Sequence, residues 1–184
     1  LNINNKLCFS KLNLNPDIIF EYAFYKGGYF KQGNTERENL IAFDNELPRF
    51  LNKVKSFYIS KYCVTEKQVK DFIIKGGYNN KDYWSENGWK WKTENDINLP
   101  FYWIKKDNKL LIKNYNKFRF IKNNLPACHM SYYEAEAICK YLGGRLPTES
   151  EWEYVATNKG KTKFPWGNSP STCRCNLNYS GCIV

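Results

Sequence analysis

"LGGRLPTESEWEYVA", residues 142–156, is the stretch on which the reading of this chain turns. A double glycine, Gly143 and Gly144, runs into Arg145, Leu146 and Pro147, and a threonine then opens an acidic, aromatic run. Glycine accepts the left-handed geometry that ends a helix, and proline cannot continue a helix interior. Thr148 and Glu151 form a T-x-x-E capping box, in which side chain and backbone satisfy each other at a helix start. The stretch is therefore a helix end, a tight corner and a new helix start. Upstream, Ser131 and Glu134 form a second box, and Ala135, Ile138, Cys139 and Leu142 follow at the spacing of a buried stripe. Glu136 and Lys140 make a favourable i, i+4 pair on the outer face. Downstream, Trp152, Val155 and Ala156 form the inner face of the next helix. Helices are expected over 131–142 and 148–157.

Earlier in the chain, "IIFEYAFYKGGYFKQGN" predicts two short strands around Gly27 and Gly28, the second ending at Gly33. Val54, Phe57 and Ile59 fall in one strand leading to Thr65, an N-cap with Glu66 in the first turn. Val69, Phe72 and Ile73 then define one face of a helix near 65–75, closed by Gly76 and Gly77. The middle section, from Tyr78 to about residue 110, shows neither helical nor strand period. Its four tryptophans, Trp84, Trp89, Trp91 and Trp103, pin a long loop onto the core; a ligand platform is the competing use. Residues 108–121 alternate weakly and suggest a hairpin. Residues 1–17 are a polar lead-in, and 18–184 form one domain.

Composition narrows the function classes. The 184 residues include 42% hydrophobic and 17% aromatic side chains, enough for a folded core. No run approaches the roughly 18 apolar residues of a membrane helix. No secretory leader is visible, so the seven cysteines are expected reduced and the location cytoplasmic. Cys173, Cys175 and Cys182 lack the C-x-x-C spacing and partner pair of a zinc site. The net charge of +10 comes from lysines scattered among asparagines, without a nucleic-acid recognition pattern, so no specific nucleic acid and no membrane partner is expected. The only methionine is Met130, and a chain opening at Leu1 is expected to be a piece of a longer one.

Four segments occur in one order: "VTEKQVKDFIIKGGY", "PACHMSYYEAEAICKYLGGRLPTESEWEYVA", "FPWGN" and "CNLN". Together they resemble the formylglycine-generating enzyme (sulfatase-modifying factor) superfamily, from about Lys26 to Val184. That resemblance implies an α/β (α+β), C-type-lectin-like fold with much irregular structure. "FDNELPRF", "GGYNNKDYWSENGWKWK", "LPFYW" and "CHMSYYEAEA" are similar to a narrower branch, the iron(II)-dependent sulfoxide synthases of ergothioneine and ovothiol biosynthesis. Those enzymes use oxygen to join a small-molecule thiol to a histidine derivative. A formylglycine-generating enzyme and a non-catalytic lectin-like binding module are the alternatives.

The departures from the family shape the expectations for the site. In the synthases the iron ligands lie in an upstream helical domain carrying H-x-x-x-H-x-E, whereas this chain has one histidine, His129. The catalytic tyrosine follows a G-N-V-W-E-W segment that this sequence does not contain. The chain is thus expected to be the N-terminal part of the domain, truncated at its C-terminal end, with no catalytic residue and no iron ligand of its own. It would need the helical iron-binding domain. In the formylglycine-generating branch an asparagine after P-W-G gives its side-chain oxygen to calcium and the next residue its carbonyl; Asn176 and Leu177 match by motif position. A turn role for Asn176 competes with that assignment. His129 reads as a structural hydrogen-bonding residue, and Arg145 as the partner of Glu151 or Glu153. Glu149, Glu151 and Glu153 read as cap and dipole carboxylates, and Asp44 and Asn45 as loop-ordering residues.

Overall fold

The computed structural model describes residues 21–35, 42–114 and 116–169. It is α+β, with short helices and small antiparallel sheets separated by irregular chain. Two compact units divide it: Tyr62–Leu146 belongs to the first, and Tyr22–Lys61 with the chain from Pro147 onward belongs to the second.

In the first unit, helix α1 spans Glu66–Ile74 and starts on Thr65. Thr65 is more than a lone cap: its hydroxyl accepts the Gln68 N–H, and Gln68 Oε1 accepts the Thr65 N–H at 2.8 Å. Val69 and Phe72 are fully buried, as their spacing requires. The glycines after the helix divide the work. Gly76 takes φ +78, while a Cβ on Gly77 would lie 2.2 Å from the Phe72 ring.

The middle section corrects the sequence expectation. Residues Glu86–Glu94 form helix α2, capped by Ser85, whose hydroxyl accepts the Gly88 N–H. Its buried positions are Gly88 and Lys92, not apolar residues, so no hydrophobic period marks it. Gly88 lets the helix approach Tyr133, and the Lys92 ammonium lies 5.3 Å from the Trp89 ring. Trp84 and Trp103 are buried, and Trp89 and Trp91 are partly buried against the same core. Trp84 Nε1 donates to the Gly77 carbonyl at 2.9 Å. A three-stranded antiparallel sheet follows: β5 (Trp103–Lys106), β6 (Lys109–Asn114) and β7 (Lys117–Phe120). The expected hairpin is β6–β7; Trp103 opposite Ile112 adds β5 and seals the core.

Helix α3 spans Tyr132–Tyr141 on the expected Ser131–Glu134 box. Its buried face is rotated from the expected stripe: Glu134, Ala137, Ile138 and Tyr141 are inside with Leu142, while Ala135 and Cys139 are half-buried. The reason is that Glu134, though charged, faces inward and accepts the Tyr78 hydroxyl at 2.6 Å. Glu136 does not serve only the outer face; it accepts the Ser85 hydroxyl.

In the second unit, strands β1 (Tyr22–Tyr25) and β2 (Gly28–Gln32) pair antiparallel with β4 (Phe57–Ser60) and β3 (Phe50–Val54). Val54, Phe57 and Ile59 are therefore not one strand. Tyr22 opposes Ser60 and Gly28 opposes Val54 in one constant register, so the four strands form a single ribbon broken at residues 26–27 and 55–56. Gly27 sits at the break with φ +76, and a Cβ there would lie 2.3 Å from the Val54 carbonyl oxygen. Helix α4 (Glu149–Ala156), on the expected Thr148–Glu151 box, packs on β2 and β3. Its core residue is Tyr154, which meets Phe30 edge-on and donates to the Gly27 carbonyl at 2.8 Å. Trp152, expected inside, is 62% exposed. Its place is taken by Tyr154, whose hydroxyl finds a buried partner while its ring fills the core.

A partly buried ion pair ties α1 to β7. Arg119 donates to both Glu66 carboxylate oxygens, at 2.6 and 2.9 Å, and the Lys122 N–H adds a third bond. Burial on its own pushes the Glu66 carboxyl up, but the Arg119 fork and the Lys122 N–H outweigh it and hold the group below its usual value. Such a group stabilises the fold above its unfolded pKa, and that contribution is lost as pH falls through the lowered folded value. Glu66→Ala, which strands Arg119, is expected to cost about 2–3 kcal/mol near neutral pH. In urea titrations across the acid range, the gap between wild type and variant should close as the Glu66 carboxyl protonates. A pH-independent gap would remove the ion pair as the cause.

Candidate functional site

A cleft of about 820 Å³ lies in the second unit. Four segments build it: the end of β2, the F-D-N-E-L-P-R-F turn, the outer face of α4, and the loop from Thr157 to Asn168. Each wall is fixed by a local cause. Asp44–Glu46 closes a single 3-10 turn, with Asp44 Oδ1 accepting the Asn45 N–H at 2.9 Å. Asp44 thus orders the loop, as its type and place in the turn suggest, and Asn45 faces the cleft. The Asn34 N–H donates to the Glu46 carbonyl at 2.7 Å and locks the turn to the strand end. Gly33 is held from both sides: Arg49 Nε donates to its carbonyl at 3.1 Å, and its N–H donates to Glu153 Oε1 at 2.7 Å. Glu153 is accordingly a latch between α4 and β2, a role that helix position alone does not reveal.

Behind the cleft wall, three neutral side chains close a ring. Asn52 Nδ2 donates to Gln32 Oε1 at 2.7 Å and to Ser150 Oγ at 2.9 Å, and Ser150 Oγ donates to Gln32 Oε1 at 2.8 Å. Gln32 is buried, so these bonds satisfy a polar group that would otherwise be costly inside. On the far wall, Gly160 takes φ +75 with its Cβ direction 2.9 Å from the Lys31 carbonyl, which only glycine allows. Phe164 and Trp166 stack with centroids 5.3 Å apart, and Asn168 Oδ1 accepts the Lys163 N–H.

Lys31, Arg49, Lys161 and Lys163 supply positive charge to the lining; Glu46, Glu149 and Glu153 supply negative charge. Trp152 and Phe50 present exposed rings among them. That mixture can hold a small zwitterion, with carboxylate against guanidinium or ammonium and a cationic group against carboxylate and indole. It contains neither a nucleophile with an adjacent base nor a ligand set for a metal. Among the described residues no group of three or more His, Cys, Asp and Glu is placed to hold a metal ion. Lys31, Arg49, Lys161, Lys163 and Trp152 escaped sequence reasoning as a set, because only the fold gathers them.

The other singled-out residues lie as follows. His129 is exposed in the first unit, with φ +62 and its ring edge-on to Tyr102 at 4.8 Å. Arg145 Nη1 donates to the Leu146 carbonyl at 3.0 Å, bracing the corner before Pro147. Glu151 completes its capping box. Cys63 and Cys128 are exposed thiols, and Cys139 is a half-buried thiol whose burial pushes its pKa up. Asn176, Leu177, Cys8, Cys173, Cys175, Cys182, the lead-in 1–17 and the apolar end 182–184 lie outside the described residues.

Residues 16–180 match the sulfatase-modifying factor enzyme 1-like domain. The chain is 31% identical over 167 residues to the hercynine oxygenase of Mycolicibacterium smegmatis, covering 88% of this chain and 38% of that protein. It is 32% identical over 147 residues to the hercynine oxygenase of Mycobacterium tuberculosis, covering 78% and 34%. To the formylglycine-generating enzyme of Mus musculus it is 28% identical over 154 residues, covering 77% and 41%. The chain therefore spans 34–38% of the length of these two hercynine oxygenases.

The latch at Gly33 generates a direct test. Glu153→Ala leaves a part-buried N–H without its carboxylate and is expected to destabilise the unit by about 1–3 kcal/mol. Glu153→Gln keeps an acceptor oxygen and should recover most of that loss. Hydrogen exchange at the Gly33 amide should quicken in the alanine variant and not in the glutamine variant.

Proposed function

This chain belongs to the family of sulfatase-modifying factor enzyme 1-like domains, and we propose that it is the lectin-like, substrate-shaping part of an iron(II)- and oxygen-dependent sulfoxide synthase. The substrates in this reading are a small-molecule thiol and a histidine derivative of the hercynine type. The observation that carries it is the likeness to hercynine oxygenases over most of this chain. The cleft chemistry supports it, because a trimethylated histidine is a zwitterion. Its carboxylate suits Arg49 or a cleft lysine, and its quaternary ammonium suits Glu149 and the Trp152 face.

Iron would supply oxygen activation in such an enzyme. The residues here do not fit an iron site, which typically needs two histidines and a carboxylate with open positions. The chain has one histidine, and it is exposed with its ring edge-on to Tyr102. The reading therefore assigns iron to a helical domain carrying H-x-x-x-H-x-E outside this chain. What these residues do is bind and orient: the Arg49–Gly33–Glu153 pair of bonds fixes one wall, and the Trp152 and Phe50 rings line the open volume. We also place calcium at Asn176 and Leu177; calorimetry on the full-length protein showing no calcium uptake would remove that site.

The test is anaerobic iron(II) titration followed by oxygen consumption with cysteine and trimethylhistidine. These 184 residues alone are expected to give no stoichiometric iron binding and no product. The protein that also carries the helical domain and the rest of this one is expected to form a sulfoxide. Formylglycine formation on a cysteine peptide by that longer protein, without sulfoxide product, would move it to the formylglycine-generating branch. Tight iron binding with turnover by this chain alone would overturn the division of labour.

A further inference from the structure

The segments that lead into α1 and α3 run antiparallel and touch. Thr65 and Pro126 form a β-bridge; the Glu66 N–H donates to the Leu125 carbonyl and the Ala127 N–H to the Val64 carbonyl, each at 2.9 Å. Those two bonds flank Thr65 and Pro126, which makes them a non-hydrogen-bonded pair, in keeping with a proline that has no N–H to give. One step outward, Val64 meets Ala127. Carried two residues further in the same register, the pairing would set Cys63 against Cys128, at the next non-hydrogen-bonded position.

Side chains two residues apart on a strand share a face, and direct partners across an antiparallel pair point the same way. In that register Cys63 would share the face of Thr65, and Cys128 that of Pro126. Non-hydrogen-bonded partners have Cα atoms about 4.5 Å apart, inside the span of about 4.4–6.8 Å that a disulfide bridges. Both are free, exposed thiols, and Cys128 Sγ donates to the Pro126 carbonyl at 3.8 Å, along its own chain segment. The Arg119 guanidinium is near enough to the Cys128 sulfur for the two to interact electrostatically.

We propose that Cys63 and Cys128 are a reversible dithiol–disulfide pair, a modification site that closes when the chain meets an oxidised low-molecular-weight disulfide. One protein thiolate attacks a sulfur of the small disulfide and releases one small thiol. The second protein thiolate then attacks the resulting mixed disulfide and releases the other. Two protein thiols lose two protons and two electrons in total, and the small disulfide is reduced to two thiols. Closing the bridge joins the chain just before the caps Thr65 and Ser131, and encloses α1, α2 and the three-stranded sheet in one covalent loop. The inference stands on the backbone register of the first unit and is independent of the function proposed above. Cys139 has no part in it, since it is half-buried within α3.

The experiment takes the full chain, incubates it natively with oxidised glutathione or with dithiothreitol, alkylates remaining thiols, and maps peptides without reduction. The expected result is a peptide linked through Cys63 and Cys128, lighter by two hydrogens, that dithiothreitol separates. Because a long loop is closed, the oxidised form should melt about 5–10 °C higher than the reduced form. Cys63→Ser and Cys128→Ser should each abolish both the linked peptide and the melting shift, whereas Cys139→Ser should leave both. Recovery of Cys63 and Cys128 as separate glutathione adducts, or links to other cysteines instead, would overturn the pairing. So would a melting shift that survives Cys63→Ser.

Discussion

A buried carboxylate needs a donor at each oxygen, and the first unit is organised around one that has both. Glu134 is 3% exposed, yet it stands at the third position of α3. One oxygen closes the capping box on the Ser131 N–H, and the other accepts the Tyr78 hydroxyl. Burial first, and then the neighbouring Glu134 charge and its bond, push the Tyr78 phenol far above its usual range, so it remains a donor at every working pH. Tyr78 in turn packs on Phe72 and Trp84. One side-chain pair thus ties the chain just past α1, the tryptophan-rich segment and the start of α3. Helices of eight to ten residues cannot stand alone in water. Caps and contacts of this kind are what make them persist.

The second unit solves a different problem. A long two-stranded ribbon exposes two faces and has little core of its own. Breaking it at residues 26–27 and 55–56 makes a concave corner, and α4 brings Tyr154 into it. The tyrosine ring meets Phe30, Phe57 and Tyr25, and its hydroxyl satisfies the carbonyl that the Gly27 kink leaves unpaired. The same packing sets the outer face of α4 toward the cleft, with Glu149, Trp152 and Glu153 on its lining. Core and cleft are two faces of one helix. A helix face of this width explains why Trp152 is exposed although a hydrophobic count alone would bury it.

What the sequence made legible was punctuation. Ser131–Glu134, Thr148–Glu151, Thr65 and the glycine pairs mark helix ends by local chemistry, and local chemistry needs no tertiary knowledge. The hidden parts are those decided by partners far away in the chain. Helix α2 presents Gly88 and Lys92 inward, since Tyr133 and Trp89 accept a small residue and a cation there. The inner stripe of α3 turned because Glu134 has Tyr78 to bond. The strand expected through Val54 and Ile59 broke because its two halves serve different partners. The cleft was invisible for the same reason: Lys31, Arg49, Trp152 and Lys163 are apart in sequence and form no motif. The family came instead from whole strings of residues, which carry information that periodicity lacks.

The unusual composition, rich in both lysine and aromatics, is resolved within the fold by setting the one on the other. Lys53 lies over Tyr29, Lys106 over Phe118, Lys109 over Phe120 and the buried Lys92 over Trp89, each 5.3–6.0 Å from the ring centroid. Phe118 and Phe120 are exposed rings on the outer strand of the three-stranded sheet, where an apolar edge invites another strand. A lysine ammonium over each ring places positive charge at that edge, which disfavours pairing with another strand. At these four positions a lysine is set over an aromatic ring. In the cleft several cations, three carboxylates and an exposed indole meet around an open volume. That contrast is the physical ground for looking there for the ligand.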